Sequence, residues 1–261
     1  MTATTRYRTF FEEIYAQYNK REYIHTDPIH YPHTLEGDKE FIALTAASFA
    51  YGNVKAIKSF LLSFFEHYGT EPEKLNSESK GLYYRFQSVS DVHYYSQFMQ
   101  RLYGEYGSLE NLFARRDTLE EGIDYFYEVV NRMCQGAEKG FFFLFPNPRT
   151  SGAKRLRMFL RWMVRKDDVD FGLWKKFSPS ELLMPIDTHI LRFAKNNNII
   201  NNDSATRKNL ETVSTFFKQL NADDPAKYDF ALTRLGIIND CKYNSCEKCV
   251  ECMHRFTCIF V

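Results

Sequence analysis

The side chains with the clearest chemistry are one lysine, one aspartate and a group of cysteines. Lys154 follows Gly152-Ala153 and opens a basic stretch, and Asp187 lies in the segment Pro185–Arg192. A neutral amine can attack an electrophilic carbon, and a carboxylate can stabilise positive charge that develops there. Five of the six cysteines fall between positions 241 and 258, a density typical of a metal or cluster site. The residues thus predict a centre for covalent or charge-stabilising chemistry and a separate metal site.

The element that must position the lysine is a helix with a basic stripe. Lys154, Arg157, Arg161 and Arg165 recur at steps of three and four, and the opposite face carries Leu156, Phe159, Leu160 and Met163. Residues 149–176 hold nine Lys and Arg against three Asp, in a chain whose formal net charge is only +1. Charge concentrated in this way favours a specific anionic partner. We therefore expect the stripe to face a polyanion.

Two stretches resemble a known family. Ile186-Asp187-Thr188-His189-Ile190-Leu191-Arg192 resembles the catalytic-aspartate motif of the helix-hairpin-helix DNA glycosylases, the endonuclease III superfamily. Gly152-Ala153-Lys154 is similar to the Gly-x-Lys that ends the family's hairpin, although Pro148–Gly152 replaces the usual Leu-Pro-Gly-x-Gly. The spacing from Lys154 to Asp187 is similar to that of the archaeal 8-oxoguanine glycosylases. The resemblance implies an all-α, two-lobed fold that binds double-stranded DNA in a cleft.

The resemblance also implies roles for individual residues. Asp187 would be the catalytic carboxylate, and Lys154 would attack the sugar to form a Schiff base, as in a bifunctional glycosylase and abasic-site lyase. Simpler roles are a phosphate contact for Lys154 and a helix N-cap for Asp187. The residues predicted to contact DNA are Gly152, Arg155, Arg157, Arg161 and Arg165.

The cysteine spacing is similar to the family's cluster motif. Cys241, Cys249, Cys252 and Cys258 give C-x7-C-x2-C-x5-C, against the C-x6-C-x2-C-x5-C that holds a [4Fe-4S] cluster in endonuclease III and its relatives. Cys246 is a fifth cysteine and a possible substitute for Cys241. Structural zinc is the alternative occupant, because four cysteines at short spacing also suit tetrahedral zinc.

Composition limits the class of protein. With 44% hydrophobic residues and no apolar run near eighteen residues, a folded protein without a membrane span is expected. The N-terminal residues lack an apolar signal core, which predicts a cytoplasmic protein with reduced cysteines. We expect a monomer.

Helical periodicity predicts the domain organisation. One helical lobe, including the hairpin, is placed at residues 37–180, and a second at residues 1–36 plus 181–261. Residues 23–37 are predicted to be a loop, and helices are predicted to start at caps Ser90, Ser108 and Asp117.

Two further stretches have alternative interpretations. The turn at 51–53 is either the polar segment with which the family enters DNA or an ordinary turn between helices. The apolar run 140–146 is expected to be buried, the alternative being that one of its phenylalanines stacks on an extruded base.

The function that follows is a DNA repair glycosylase that removes a damaged base, with an oxidised purine suggested by the lysine-to-aspartate spacing. The alternative hypothesis is a non-catalytic iron-sulfur or zinc protein of the same fold that binds nucleic acid. The altered hairpin sequence favours this alternative. An enzyme of this fold that acts on RNA or free nucleotides is a third hypothesis.

Overall fold

The protein is all-helical, as predicted. The computed structural model describes residues 3–244, 249, 252, 254, 258 and 259. No strand occurs among these residues, which contain only isolated bridges such as Ser151 with Thr206. Over the same part of the chain, none of the helices has the length and apolar character needed to cross a membrane.

The chain divides into two compact units, and unit 1 is discontinuous. It combines residues 1–23, 150–171 and 178–261. Its α-helices in the described residues are α1 (Ala3–Tyr18), α9 (Lys154–Val164), α10 (Thr188–Asn196), α11 (Arg207–Leu220) and α12 (Asp229–Ile238). The apolar faces of α1, α10, α11 and α12 meet in one core, where Phe11 contacts Phe193, Phe217 and Tyr228. Unit 1 therefore holds both Lys154 and Asp187.

Unit 2 comprises residues 24–149 and 172–177. Its α-helices are α2 (His30–Thr34), α3 (Lys39–Ser48), α4 (Val54–Tyr68), α5 (Val89–Tyr106), α6 (Leu109–Phe113), α7 (Leu119–Met133) and α8 (Lys139–Leu144). Aromatic side chains fill its core, where Phe49 lies 4.6 Å from Phe60 and 5.3 Å from Tyr95 between ring centroids. Rings at such separations attract each other beyond their apolar burial, so the aromatic content of the sequence has a structural use.

These units differ from the lobes predicted at 37–180 and 1–36 plus 181–261. Helix α9, which was predicted to lie in the other lobe, belongs to unit 1. Arg161 on α9 forms ion pairs inside that unit with Asp170 and Asp229. Periodicity identifies helices but carries no information about which buried charges pair across the sequence.

Several helix starts also differ from the prediction. The cap of α5 is Ser88, in a capping box with Asp91, and the cap of α7 is Thr118; Ser108 caps α6 as predicted. The expected loop at 23–37 contains a 3-10 helix (Arg21–Thr26) and α2. Pro32 fits α2 because its missing N–H falls in the first turn, where no intrahelical partner exists.

Candidate active site

Asp187 is the N-cap of α10. Its Oδ1 accepts hydrogen bonds from the amides of His189 at 2.8 Å and Ile190 at 2.9 Å. Its Oδ2 accepts a longer bond of 3.4 Å from the Thr233 hydroxyl. The capping role is therefore real, and it fixes the carboxylate at the helix end whose amides stabilise negative charge. Capping uses mainly one oxygen, so it is compatible with chemistry at the other.

Lys154 is the first residue of α9 and is half-buried. The residue before it, Ala153, has the left-handed backbone φ 41°, ψ 42°. Such a conformation is uncommon outside glycine and requires support from its surroundings. The chain therefore enters α9 through a sharp, supported turn that sets where Lys154 begins.

Gly152 ties this turn to the aspartate motif. A Cβ at Gly152 would lie 2.8 Å from Cδ1 and Cγ1 of Ile186, the residue immediately before Asp187. The Gly152 amide donates to the Ala205 carbonyl at 2.8 Å, so this amide is engaged within the protein. Glycine is required here for close packing, and that packing holds the starts of α9 and α10 in register.

A buried aspartate connects the two predicted catalytic residues. Asp229, at the start of α12, has a pKa raised to about 6, with burial as the largest cause. Arg161 and Lys154 oppose the rise, and the charge of Asp187 adds to it. Lys154, Asp187 and Asp229 thus share one electrostatic neighbourhood, although they come from three separate segments. Sequence reasoning missed Asp229, whose only signal is an acidic residue at the start of an otherwise apolar helix.

The predicted DNA-contacting stripe of α9 is buried. Arg161 and Arg165 are each 3% exposed and Arg157 is 2% exposed. Arg161 pairs with Asp170 and Asp229. The Nε of Arg165 donates to both carboxylate oxygens of Asp224 at 2.9 Å, and its Nη1 pairs with Asp167 and Asp170.

The prediction that Arg157, Arg161 and Arg165 face a polyanion is therefore wrong. For Arg161 and Arg165, the physical reason is that buried aspartates take the place of phosphates. Of the predicted DNA-contacting side chains, Arg155 remains half-buried beside Lys154.

Accessible positive charge lies instead beside Asp187. A groove of about 430 Å³ begins at Thr188, the residue after Asp187, and runs along α10. Arg192, Lys195 and Lys242 line it; Lys195 lies 3.6 Å from Asp203, and Lys242 pairs with Asp240. One end of the groove, at Thr188, thus directly follows Asp187 in the sequence. The basic side chains of the groove suit the anionic backbone of a nucleic acid.

His189 links α10 to the segment that carries the cysteines. Its Nδ1 lies 3.2 Å from the Tyr243 hydroxyl, which donates to the Leu232 carbonyl at 2.9 Å. A Cβ at Gly236 would lie 2.1 Å from that hydroxyl, so glycine leaves the room for this contact. The motif histidine therefore has a structural partner two residues beyond Cys241.

Cys241 and Cys258 lie close to α1. The pKa of Cys241 is raised to about 11, chiefly by burial and further by the charges of Cys258, Cys252 and Cys249. The Cys258 carbonyl accepts a 2.8 Å hydrogen bond from Arg6. The charges of the other three thiols therefore act on Cys241.

No three His, Cys, Asp or Glu side chains in the described part of the chain are arranged as a metal site. Cys246 lies outside the described residues.

Comparison with known proteins gives one match. A family profile described as "Protein of unknown function (DUF2400)" matches residues 27–238. The chain belongs to this family. The DUF2400 match includes Lys154, Asp187 and Asp229, and it ends before Cys241. No curated protein and no solved structure matches the chain.

Proposed function

We propose that the protein is a DNA repair glycosylase with associated lyase activity, a cytoplasmic monomer that removes a damaged base from double-stranded DNA. The observation that carries the proposal is the close packing of Gly152 on Ile186, which brings together the start of α9, with Lys154, and the start of α10, with Asp187. An amine and a carboxylate, fixed at the starts of two helices that meet through Gly152 and Ile186, are what base excision requires.

Asp187 acts on the charge that develops as the base leaves. When the bond between C1′ and the base breaks, the base departs with the bonding electron pair and takes up a proton, and the sugar becomes positive. A carboxylate held by two amides at the N-terminus of α10 is already oriented to stabilise that sugar. The proposal assigns this role to Oδ2, because Oδ1 is engaged by the backbone.

Lys154 supplies the nucleophile. Its neutral amine forms a bond to C1′ and loses a proton, and opening of the sugar ring gives a Schiff base. Removal of a proton from C2′ then expels the 3′ phosphate, which cleaves the strand. The spacing to Asp187 favours an oxidised purine as the base released.

DNA contact is assigned to the groove along α10. Arg192, Lys195 and Lys242 line a groove that begins at the residue after Asp187, whereas Arg161 and Arg165 pair with buried aspartates. Phosphate contacts of this kind make binding weaken as salt concentration rises.

The cysteines are proposed to hold a [4Fe-4S] cluster, with structural zinc as the alternative. Cys241, Cys249, Cys252 and Cys258 supply four thiol ligands of the kind both take, and their spacing in the sequence supports the assignment. When bound, the group would fix the C-terminal segment against α1. Protein purified without oxygen should contain about four irons and four sulfides per chain. One zinc and no sulfide would establish the alternative.

The catalytic assignment is tested by borohydride trapping on duplexes that carry 8-oxoguanine, other oxidised bases, uracil or an abasic site. Wild type should form a covalent adduct with an intact damaged base, and Lys154→Ala should not. Asp187→Asn should lower base release by a factor on the order of a hundred to ten thousand while binding persists. Lys166→Ala, an exposed lysine just beyond α9, is the matched control and should behave as wild type.

Three results would change the assignment. Base release that depends on Asp187 without an adduct would indicate that water replaces Lys154 as nucleophile. Binding without release from any duplex would favour the non-catalytic rival. Activity on RNA or free nucleotides alone would redirect the substrate class.

A further inference from the structure

Unit 2 carries three aromatic rings and one arginine that lie together at its surface. We name this group the aromatic platform: Tyr51, Arg85, Phe86 and Phe143. The Phe143 ring lies 5.1 Å from Tyr51 and 5.0 Å from Phe86, and Tyr51 and Phe86 are parallel within 4°. The Arg85 guanidinium lies 5.7 Å from the Tyr51 ring and 5.5 Å from the Phe86 ring. Phe86 is 60% exposed and Phe143 is 41% exposed. Large apolar rings thus meet solvent together, although the same unit buries most of its phenylalanines.

The platform is built on a tight turn. Tyr84 and Gln87 exchange backbone hydrogen bonds of 3.0 and 2.8 Å, which leaves Arg85 and Phe86 at the tip. Arg85 has a positive φ of 51°, as two-residue turns of this kind demand, although arginine adopts it at a cost. The turn therefore presents these two side chains outward at the expense of local backbone stability.

Buried polar groups hold the pieces of the platform together. Gln87, 1% exposed, accepts a hydrogen bond from the Tyr51 hydroxyl and donates to the Gly140 carbonyl at 2.7 Å. Asp91 accepts from the amides of Ser88 and Phe141, both at 2.9 Å. Three chain segments that are distant in sequence are thus locked beneath the exposed rings. The platform is preorganised, which lowers the entropy lost when a ligand binds.

Glycine makes room for the arginine. Gly52 has φ +100°, and a Cβ there would lie 2.4 Å from Nη1 of Arg85. A side chain at position 52 would displace the guanidinium from the rings. The position of Arg85 therefore depends on a glycine far from it in sequence.

The charge around the platform is positive. Lys55, Lys80 and Lys139 are exposed on the segments that carry the rings, and Arg85 adds a fourth basic group. Across 51–55, 80–91 and 138–143 the acidic residues are Glu138, which is exposed, and Asp91, which is buried beneath the rings. Exposed aromatic rings surrounded by cations suit a ligand with flat apolar faces joined by negative charges.

We propose that the aromatic platform binds an unpaired nucleobase of a nucleic-acid strand, stacked against Phe86 and Phe143, with Arg85 and the nearby lysines on the phosphates. Paired bases expose no ring face, so the platform selects unpaired over duplex nucleic acid. The choice of a nucleic-acid ligand rests on the proposed function. The platform is in unit 2, whereas Lys154 and Asp187 are in unit 1, so it is a binding site additional to the catalytic residues.

Fluorescence anisotropy tests this with three probes: an oligothymidylate single strand, a fully paired duplex, and the same duplex with an unpaired bubble. Phe86→Ala and Phe143→Ala should each weaken binding of the single strand and the bubble about 5- to 100-fold, with duplex binding unchanged. Arg85→Ala and Gly52→Ala should weaken the same two probes, and Arg85→Ala should also reduce the salt dependence of binding.

Two variants serve as matched controls. Arg116 lies over the Tyr125 ring at 4.1 Å in the same unit, so Arg116→Ala removes an equivalent arginine outside the platform. Leu62 is 49% exposed, so Leu62→Ala removes a comparable exposed apolar side chain. Both should bind all three probes as wild type does. Thermal melting should show that Phe86→Ala and Phe143→Ala remain folded, because both rings lie at the surface and are partly exposed to solvent.

The proposal is overturned if the platform variants bind the single strand as tightly as wild type, or if wild type binds no nucleic acid. It is also overturned if wild type forms a concentration-dependent dimer that Phe86→Ala abolishes, since the rings would then contact a second copy. Assays of base release on the same preparations keep the two proposals separate. Platform-dependent binding without base release would refute only the glycosylase, and base release with platform-independent binding would refute only the platform.

Discussion

Arg161 and Arg165 are buried, whereas Arg85 of the aromatic platform is exposed. Arg161 and Arg165 recur on one helix face and look exposed in sequence, yet buried aspartates neutralise them. Arg85 comes from a stretch with no periodicity, yet it stands exposed over two rings. The difference shows that the partners of a basic residue, more than its spacing, decide whether it meets a ligand. A basic stripe is evidence for an anion, and four aspartates of the same unit can be that anion.

The largest expected effect comes from removing an arginine of the buried network. Arg161→Ala should lower the free energy of unfolding by roughly 3–5 kcal/mol, because Asp170 and Asp229 lose a buried cation. Arg85→Ala should lower it by less than about 1 kcal/mol, since its interaction with the rings is exposed. Urea denaturation measures both. Similar losses for the two variants would contradict the contrast between them.

A smaller effect is expected where α9 meets the segment before α10. Gly152→Ala should destabilise the protein by about 1–3 kcal/mol, because its Cβ would overlap Ile186. Combining it with Ile186→Ala should give a loss smaller than the sum of the two single losses. Gly136→Ala is the control and should be nearly neutral, since a Cβ there meets nothing within 4 Å. Additive losses in the double variant would show that the two residues do not press on each other.

The smallest effect concerns the protonation of Asp229. Its pKa is raised from 3.8 to about 6 in the folded protein, so between these values the folded state binds a proton that the unfolded state has released. Stability from this group is present at low pH and is lost as the pH rises through about 6. The stability of wild type relative to Asp229→Asn should therefore fall by roughly 1–2 kcal/mol between about pH 4 and about pH 7.

Urea denaturation across this pH range gives that difference. Asp168→Asn, which removes an exposed carboxylate near the same network, should show little change. A difference that grows with pH would mean that Arg161 holds Asp229 ionised at every pH, contrary to the burial that raises its pKa.

The sequence predicts those features that depend on residues close together in the chain, such as helices and their caps. The all-helical class follows from periodicity, and the capping alternative for Asp187 follows from its place before an amphipathic helix. The burial of Arg161 was not predictable, because its partner Asp229 lies 68 residues away and no spacing rule connects the two. Phe143 was expected to be buried with the rest of 140–146. Phe141 and Phe145 are buried, but the hydrogen bonds of Gln87 and Asp91 hold α8 so that Phe143 emerges.

Arg6 in α1 donates a hydrogen bond to the Cys258 carbonyl, so α1 contacts a segment that the ribosome makes much later. Most of unit 2 is one continuous stretch, residues 24–149, whereas unit 1 needs α1, α9 and segments as late as residue 258. Domains form as units while the chain emerges, N-terminal ones first where their residues are contiguous. Unit 2 can therefore fold early, while α1, which precedes it in the chain, waits with its apolar face uncovered until α10, α11 and α12 follow. During that interval α1 is the segment most in need of protection by a chaperone.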